Sequence, residues 1–348
     1  MKLSNWRTFL GLLAILSSAS LFGGCAQVQT GGPETKDGVK GIVQQPIPQK
    51  FESDDYIVAI AQSGDTAESL ATSLLGDAGK AWMIEEYNGT ASFSPGQQII
   101  IPKNFWNLSG VDPSGYQLVP ILVYHNLAPQ AKGRMVISAK GFEEQMRYLK
   151  AQGYRVVSLK QFLEFTSLQR QLPKKSVVLS FDDGYKAFLQ YAYPVLKELG
   201  FSATLFVYTD YIGAGSNALT WADLKKFASE GFDVEAHSKS HGDMRRANGE
   251  PADEYTRRLA AELTQPRDLF LKNLGYSPQF LAYPFGAQDD TVVQRTKERG
   301  YIAAFTVRRQ GNPAFVEPLR IHRSQIYSEM SLEDFIKNLN FFNQENLK

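Results

Sequence analysis

From Val119 onward the sequence alternates short apolar runs with helical stretches, and this alternation restricts the fold more than any other feature. The runs 120–123, 155–159, 176–181, 203–208, 233–236, 280–283 and 302–306 read as strands. Helical spacing lies between them: Phe142, Met146 and Leu149 fall on one face, and Gly153 stops that helix. Strands alternating with helices over about 230 residues predict an α/β domain with a mainly parallel sheet. Sheets and barrels of this kind carry their chemistry at the C-terminal ends of strands, so the residues just after each run matter most. Residues 253–274, with their many charges, read as a solvated outer helix.

The chain has 348 residues, 43% of them hydrophobic, which is enough for about two domains with buried cores. The 37 Lys and Arg nearly balance the 36 Asp and Glu, leaving no overall electrostatic footprint for nucleic acid. A single cysteine excludes an internal disulfide framework and any multi-cysteine metal site. Residues 1–24 carry Lys2 and Arg7, an apolar run over 8–22, and then Gly23-Gly24 before Cys25. That is the pattern of an export signal, too short for a comfortable membrane span. Leu21-Phe22-Gly23-Gly24-Cys25 resembles the bacterial lipobox, with Phe22 where leucine is commoner. The resemblance implies cleavage before Cys25, its lipidation, and anchoring in a membrane of the cell envelope. Ala26 after the cysteine fits outer-membrane sorting. The alternative is an ordinary secretory signal that happens to contain a cysteine.

Residues 25–53 are rich in Gly, Gln, Pro and Thr without hydrophobic periodicity, and read as a flexible tether. Over 54–103 the order is strand, helix, helix, strand. Tyr56 to Ile60 is apolar, Gly64-Asp65-Thr66 marks a turn and N-cap, and Pro95-Gly96 turns into the strand ending at Ile101-Pro102. Together with Tyr87-Asn88 and Gln97, these residues make the unit resemble a LysM domain. The resemblance implies binding of N-acetylglucosamine-containing glycans through loops beside the helices. The alternative is that these residues shape a small fold and bind nothing. Residues 104–117, with Gly110, Pro113 and Gly115, read as a linker to the α/β domain at 118–345.

Two motifs carry the chemistry. The strand over 176–181 runs into Asp182-Asp183-Gly184, which alone is an ordinary turn sequence. The strand over 233–236 leads into His237-Ser238-Lys239-Ser240-His241. Histidines at i and i+4 face the same side of a helical turn, a spacing suited to gripping one divalent metal ion. A carboxylate and two imidazoles leave room for water on the metal. Their N/O ligation suits Zn²⁺ and permits Co²⁺, Ni²⁺ or Mn²⁺.

Ser180-Phe181-Asp182-Asp183-Gly184, His237 to His241, and Tyr283-Pro284-Phe285-Gly286 together resemble the polysaccharide deacetylase family, carbohydrate esterase family 4. The resemblance spans residues 118–345 and implies a distorted, often incomplete (β/α) barrel. It implies that Asp183, His237 and His241 hold the metal and that Asp182 is the general base. Tyr185, Tyr208, Trp221, Tyr283 and Phe285 lie near these strand ends where they could stack on sugar rings, the alternative for most being core packing; Tyr283-Pro284-Phe285 is the set expected at the mouth of the inferred site. Two positions depart from the family pattern. Ala282 stands where an arginine usually orients the catalytic aspartate, so Arg320 or another basic residue is the candidate partner for Asp182. Leu319-Arg320-Ile321-His322 has one residue too many for the late Leu-x-His motif. The early segment ending in Tyr124-His125 instead resembles the biofilm poly-β-1,6-N-acetylglucosamine deacetylases, which implies that His125 is the general acid. A core histidine is the alternative for His125. The expectation is therefore an exported, lipid-anchored, metal-dependent deacetylase of an N-acetylglucosamine polymer. The alternatives are a peptidoglycan N-deacetylase and a catalytically silent glycan-binding lipoprotein.

Overall fold

The computed structural model describes residues 50–347. The expected signal, Cys25 and the tether up to residue 49 lie outside the described residues. The first elements are β1 (Lys50–Glu52), β2 (Tyr56–Ile60), α1 (Ala67–Leu75), α2 (Ala81–Asn88) and β3 (Gln98–Pro102). β2 pairs antiparallel with both β1 and β3. Strand alternation sends Ile57, Ala59, Ile99 and Ile101 to one face, where they pack against Leu70, Ala71 and Ile84 from the helices. Thr66 and Ser69 form a capping box at the start of α1, and Gly76 ends it in the left-handed conformation. The Asn88 side chain closes the unit by donating to the carbonyls of Ile84 (2.8 Å) and Ile100 (2.7 Å) and accepting from Ile100 N–H (3.0 Å).

The expected linker is ordered structure. It contains β4 (Val111–Asp112) and β5 (Gly115–Gln117), a short antiparallel pair. The Trp106 ring packs edge-on against Tyr87, and the backbone N–H groups of Trp106 and Asn107 donate to the buried Gln171 amide oxygen at 3.0 and 2.9 Å. Glycine and proline mark chain turns here, and aromatic packing fixes them in place. Gly115 is required, because a Cβ there would lie 1.9 Å from the Asn343 carbonyl oxygen.

The rest of the chain alternates strands and helices. β6 (Ile121–Tyr124) is followed by a short parallel pair, β7 (Asn126–Ala128) and β8 (Val136–Ser138). Then come α3 (Ala139–Ala151), β9 (Arg155–Val156), α4 (Leu159–Thr166) and β10 (Ser176–Asp183). α5 (Tyr193–Leu199), β11 (Thr204–Val207), α6 (Trp221–Ser229), β12 (Asp233–Ala236) and α7 (Ala252–Leu274) continue the pattern. β13 (Phe280–Ala282), α8 (Asp290–Glu298), β14 (Ala303–Phe305), β15 (Ser324–Gln325), α9 (Leu332–Ile336) and β16 (Phe342–Gln344) complete it, β16 pairing with β5.

The main sheet runs in the order β14-β13-β12-β11-β10-β6-β15, with β9 beside the start of β10. Every pairing in it is parallel. β10 is buried along its whole length, as a central parallel strand covered on both faces must be. The sheet curls until its two edges meet: Ile321, just before β15, donates to Ala304 (2.9 Å) and accepts from Thr306 (2.8 Å) at the end of β14. The expected α/β class and distorted barrel describe this sheet. α7 differs from the expected solvated helix, because one face of it buries Tyr255, Leu259, Glu262, Leu263 and Phe270. Its charges obscure that stripe in the sequence.

Candidate active site

Parallel strands point all their C-terminal ends the same way, so the loops after β6, β10, β12, β13 and β14 meet around one opening. They enclose a cavity of about 340 Å³ whose walls include His125, Asp182, Asp183, His237, His241 and Phe285. Two other cavities, of about 380 and 450 Å³, lie against the first βααβ unit. The titratable cluster singles out the 340 Å³ one.

Asp182 and Asp183 end β10 with opposite neighbours. Burial would raise the Asp182 carboxyl, but the Arg323 guanidinium, with His237 nearby, holds it down at about 2. Arg323 grips Asp182 with two parallel bonds, Nη1 to Oδ1 at 2.7 Å and Nη2 to Oδ2 at 2.8 Å, both side chains being buried. Its Nε donates to the Thr306 carbonyl (3.1 Å), which fixes the fork. Asp183 has no such partner, and burial pushes it up to about 6 against the lowering effects of His125 and a hydrogen bond with Tyr185. Its backbone is left-handed (φ 74°), a strain typical of functional sites.

Asp183, His237 and His241 each offer one ligand atom, all within 4.8 Å of one another. Asp183 Oδ1 lies 3.6 Å from His237 Nε2 and 3.3 Å from His241 Nε2. His237 Nδ1 bonds to the Ala282 carbonyl at 2.8 Å, which leaves Nε2 facing the other two groups. Burial presses His237 down to about 4, so the ring is neutral and its lone pair is available. Asp183 Oδ1 is buried without a hydrogen-bond partner. A carboxylate, two neutral imidazoles and an orphaned buried oxygen at their centre fit a divalent cation.

The sequence expectation put the two histidines on a helical turn. Instead, residues 237–241 form a loop after β12, with Ser238 (φ 70°) and His241 (φ 62°) left-handed. The rings still converge, 4.8 Å apart, because the loop doubles back and Ser238 Oγ accepts from His241 N–H (3.1 Å).

Arg320 is not the partner of Asp182. It pairs with Glu317 (3.0 Å) and Asp290 (2.5 Å) at the surface. Arg323 takes the expected role from the strand segment that closes the barrel. Strand alternation puts it on the face of the buried Ile321 and opposite Arg320, a period-two signal that was present in the sequence. His322 is braced by Asn312, which accepts from its backbone N–H (2.9 Å) and donates to its carbonyl (2.9 Å). His125 lies at the cavity wall, partly buried, with its Nδ1 atom buried and unpartnered. Burial lowers its pKa, while Asp182 and Asp183 oppose that shift. Tyr124 beside it belongs to the core and donates to Gln145 (2.8 Å).

Of the three residues expected at the mouth, Phe285 alone is open to solvent, at 63% exposure, with its ring 4.7 Å from that of His241 and a left-handed backbone (φ 59°). Tyr283 is completely buried and donates its hydroxyl to the Leu319 carbonyl (3.1 Å), and Pro284 is buried. These two shape the mouth from beneath it. Gly286 is obligatory, since a Cβ would meet Val307 N at 2.5 Å. Tyr185 lines the cavity, and Tyr208 stands 5.2 Å from the His241 ring. Trp221 instead packs edge-on against Phe270 of α7.

Residues 169–304 match the polysaccharide deacetylase family. The poly-β-1,6-N-acetyl-D-glucosamine N-deacetylase of Staphylococcus epidermidis is 26% identical over 215 residues, 60% of this chain and 74% of its own. Its Staphylococcus aureus counterpart is 26% identical over 217 residues, 60% of this chain and 73% of its own. Among solved structures, the Streptococcus pyogenes deacetylase PplD in complex with acetate gives a TM-score of 0.58 at 26% identity, over 65% of this chain and 100% of that one. IcaB from Ammonifex degensii gives a TM-score of 0.58 at 23% identity, over 65% and 98%, and speaks for the fold.

Proposed function

We propose that this protein is an exported, metal-dependent deacetylase that removes N-acetyl groups from an N-acetylglucosamine polymer, with poly-β-1,6-N-acetylglucosamine as the favoured substrate. The observation that carries the chemistry is the pairing of a charged Asp182, held by Arg323, with the Asp183, His237 and His241 cluster in one cavity. The polymer is favoured by the two curated relatives that bear its name.

Asp183, His237 and His241 would hold a divalent metal, Zn²⁺ by their donor set, and the metal would supply Lewis acidity to water and to the acetamide carbonyl. Asp182 accepts the water proton as the C–O bond forms. Arg323 keeps that carboxylate charged and aimed, although at about 2 it is a weak base unless the water is first made acidic. His125 protonates the departing nitrogen as the C–N bond breaks, and the lowering of its pKa by burial makes its charged form a stronger acid than an ordinary imidazolium. The products are acetate and a free amino sugar. Phe285, exposed beside His241, gives the sugar ring a face to stack on.

The βααβ unit is read as a LysM-like module that holds a glycan. Cys25 is read as the lipidation site of an envelope lipoprotein, placed in the outer membrane by Ala26. Among the described residues, no helix is long and apolar enough to cross a membrane.

The deciding experiment is acetate release from poly-β-1,6-N-acetylglucosamine and from peptidoglycan, with Zn²⁺, Co²⁺ or Ni²⁺ added and with a chelator. Release from the first polymer, at least ten-fold lower after chelation and restored by metal, is the expected result. Release from peptidoglycan alone would transfer the function to wall remodelling. No release from either would favour a silent glycan-binding lipoprotein.

A further inference from the structure

The two histidines that close the metal cluster are held by a loop whose shape comes from elsewhere in the chain. Between His237 and His241 lie only Ser238, Lys239 and Ser240, and the loop contains two non-glycine residues in the left-handed region, Ser238 and His241. Each such residue is strained, so the conformation needs outside support. On one side that support is backbone from the segment just after β11: Thr209 N–H donates to the Ser238 carbonyl (3.3 Å) and Asp210 N–H to the Lys239 carbonyl (2.9 Å). On the other side it is one side chain. Glu262, in the middle of α7 and 5% exposed, accepts at Oε2 from Lys239 N–H (2.9 Å) and Ser240 N–H (3.0 Å). Its Oε1 accepts from the Ser240 hydroxyl at 2.5 Å.

Two successive backbone N–H groups converging on one carboxylate oxygen form a small anion nest. The nest fixes the peptide planes between the two imidazoles, and so fixes the direction in which each ring leaves the backbone. We propose that Glu262 is the positioning residue of the metal cluster: it sets the loop that aims His237 and His241 at Asp183. The proposal rests on the reading of that trio as metal-holding. It also explains why a helix of charged appearance turns a carboxylate inward.

What Glu262 supplies is reach and acceptor geometry, and this separates its variants. In Glu262→Gln the amide oxygen can still accept from both N–H groups, and the Ser240 hydroxyl can turn to accept from the amide nitrogen. Glu262→Asp keeps the charge but withdraws it by one methylene. The test is a titration of chelator-stripped full-length protein with Zn²⁺ and Co²⁺ against a chromophoric competitor, with amide exchange of Lys239 and Ser240 measured in the metal-free state. Glu262→Asp should weaken metal binding by about 10- to 100-fold, the range seen when groups supporting metal ligands are lost. Glu262→Gln should stay within about three-fold of the original protein. Amide exchange at Lys239 and Ser240 should rise about ten-fold or more in Glu262→Asp and stay unchanged in Glu262→Gln.

Unchanged affinity in Glu262→Asp would overturn the proposal, as would a loss in Glu262→Gln as large as that in Glu262→Asp, which would mean that reach and acceptor geometry alone do not set the loop. If the original protein takes up no metal, the metal-site reading falls, and the exchange measurement still decides whether Glu262 shapes the loop.

Discussion

The two ends of the β10 strand teach different things. At its start, Ser176 pairs with Arg155, and Arg155 reaches Glu85 of the βααβ unit (2.8 Å) while Lys174 N–H donates to Glu86 (2.7 Å). At its end stand Asp182 and Asp183, seven residue steps or about 23 Å along the strand. The βααβ unit is made of elements adjacent in sequence and closed by the local bonds of Asn88. The active-site end gathers His125, Asp182, Asp183, His237, His241 and Arg323 from four separate segments. A glycan held by the loops of the first unit would therefore be a neighbouring strand or a distant stretch of a long one. The two ends should respond independently to mutation.

The sharpest break is at Asp182. Replacing it with asparagine should lower kcat by about 10²- to 10⁴-fold on soluble oligomer, the range expected for a general base, with glycan retention by the first unit unchanged. A parallel loss of retention would show that the ends are coupled. The next contrast is between two arginines three residues apart. Arg323→Ala leaves a buried carboxylate unpaired and should destabilise the barrel by about 3–5 kcal/mol in urea unfolding. Arg320→Ala removes exposed pairs and should change stability by no more than about 0.5 kcal/mol. Equal effects would refute the assignment of Arg323.

Smaller effects belong to the first unit. Asn88→Ala leaves the Ile100 N–H without its acceptor and should destabilise that unit by about 1–3 kcal/mol, with kcat on soluble oligomer untouched. The smallest concerns pH. Burial raises Glu86 above its ordinary 4.5, and the backbone bond from Lys174 only partly offsets that. Because the folded-state pKa is the higher one, the stability associated with Glu86 is complete below pH 4.5 and is lost as pH rises through the folded value. Glu86→Gln should match the original protein in melting temperature below that point. Above it the variant should melt at a higher temperature than the original protein. An equal gain at every pH would mean that the effect is not the titration of Glu86.

Much of this was legible in sequence because it is local. Strand runs, capping residues and turn glycines act within a few positions, so the α/β alternation and the strand–helix–helix–strand order could be read directly. The cluster of Asp183, His237 and His241 was readable as a motif, though its loop geometry was not: spacing of i and i+4 suits a helix, but a doubled-back loop brings the same two rings together. Residues 104–117 read as a linker because Trp106 and Gln171 are far apart in the chain, and packing alone joins them.

What the sequence by itself determined is the set of chemical groups and the strand ends that present them, since periodicity and short motifs are properties of neighbouring residues. The tertiary structure alone decided which arginine faces Asp182, which mouth residues are open, and which carboxylate holds the histidine loop. Arg323 and Glu262 reach the site from 141 and 22 positions away from their partners Asp182 and Ser240. Such pairings depend on how the sheet curls and where α7 lies against it. That depends on the packing of the whole core, which no local pattern encodes.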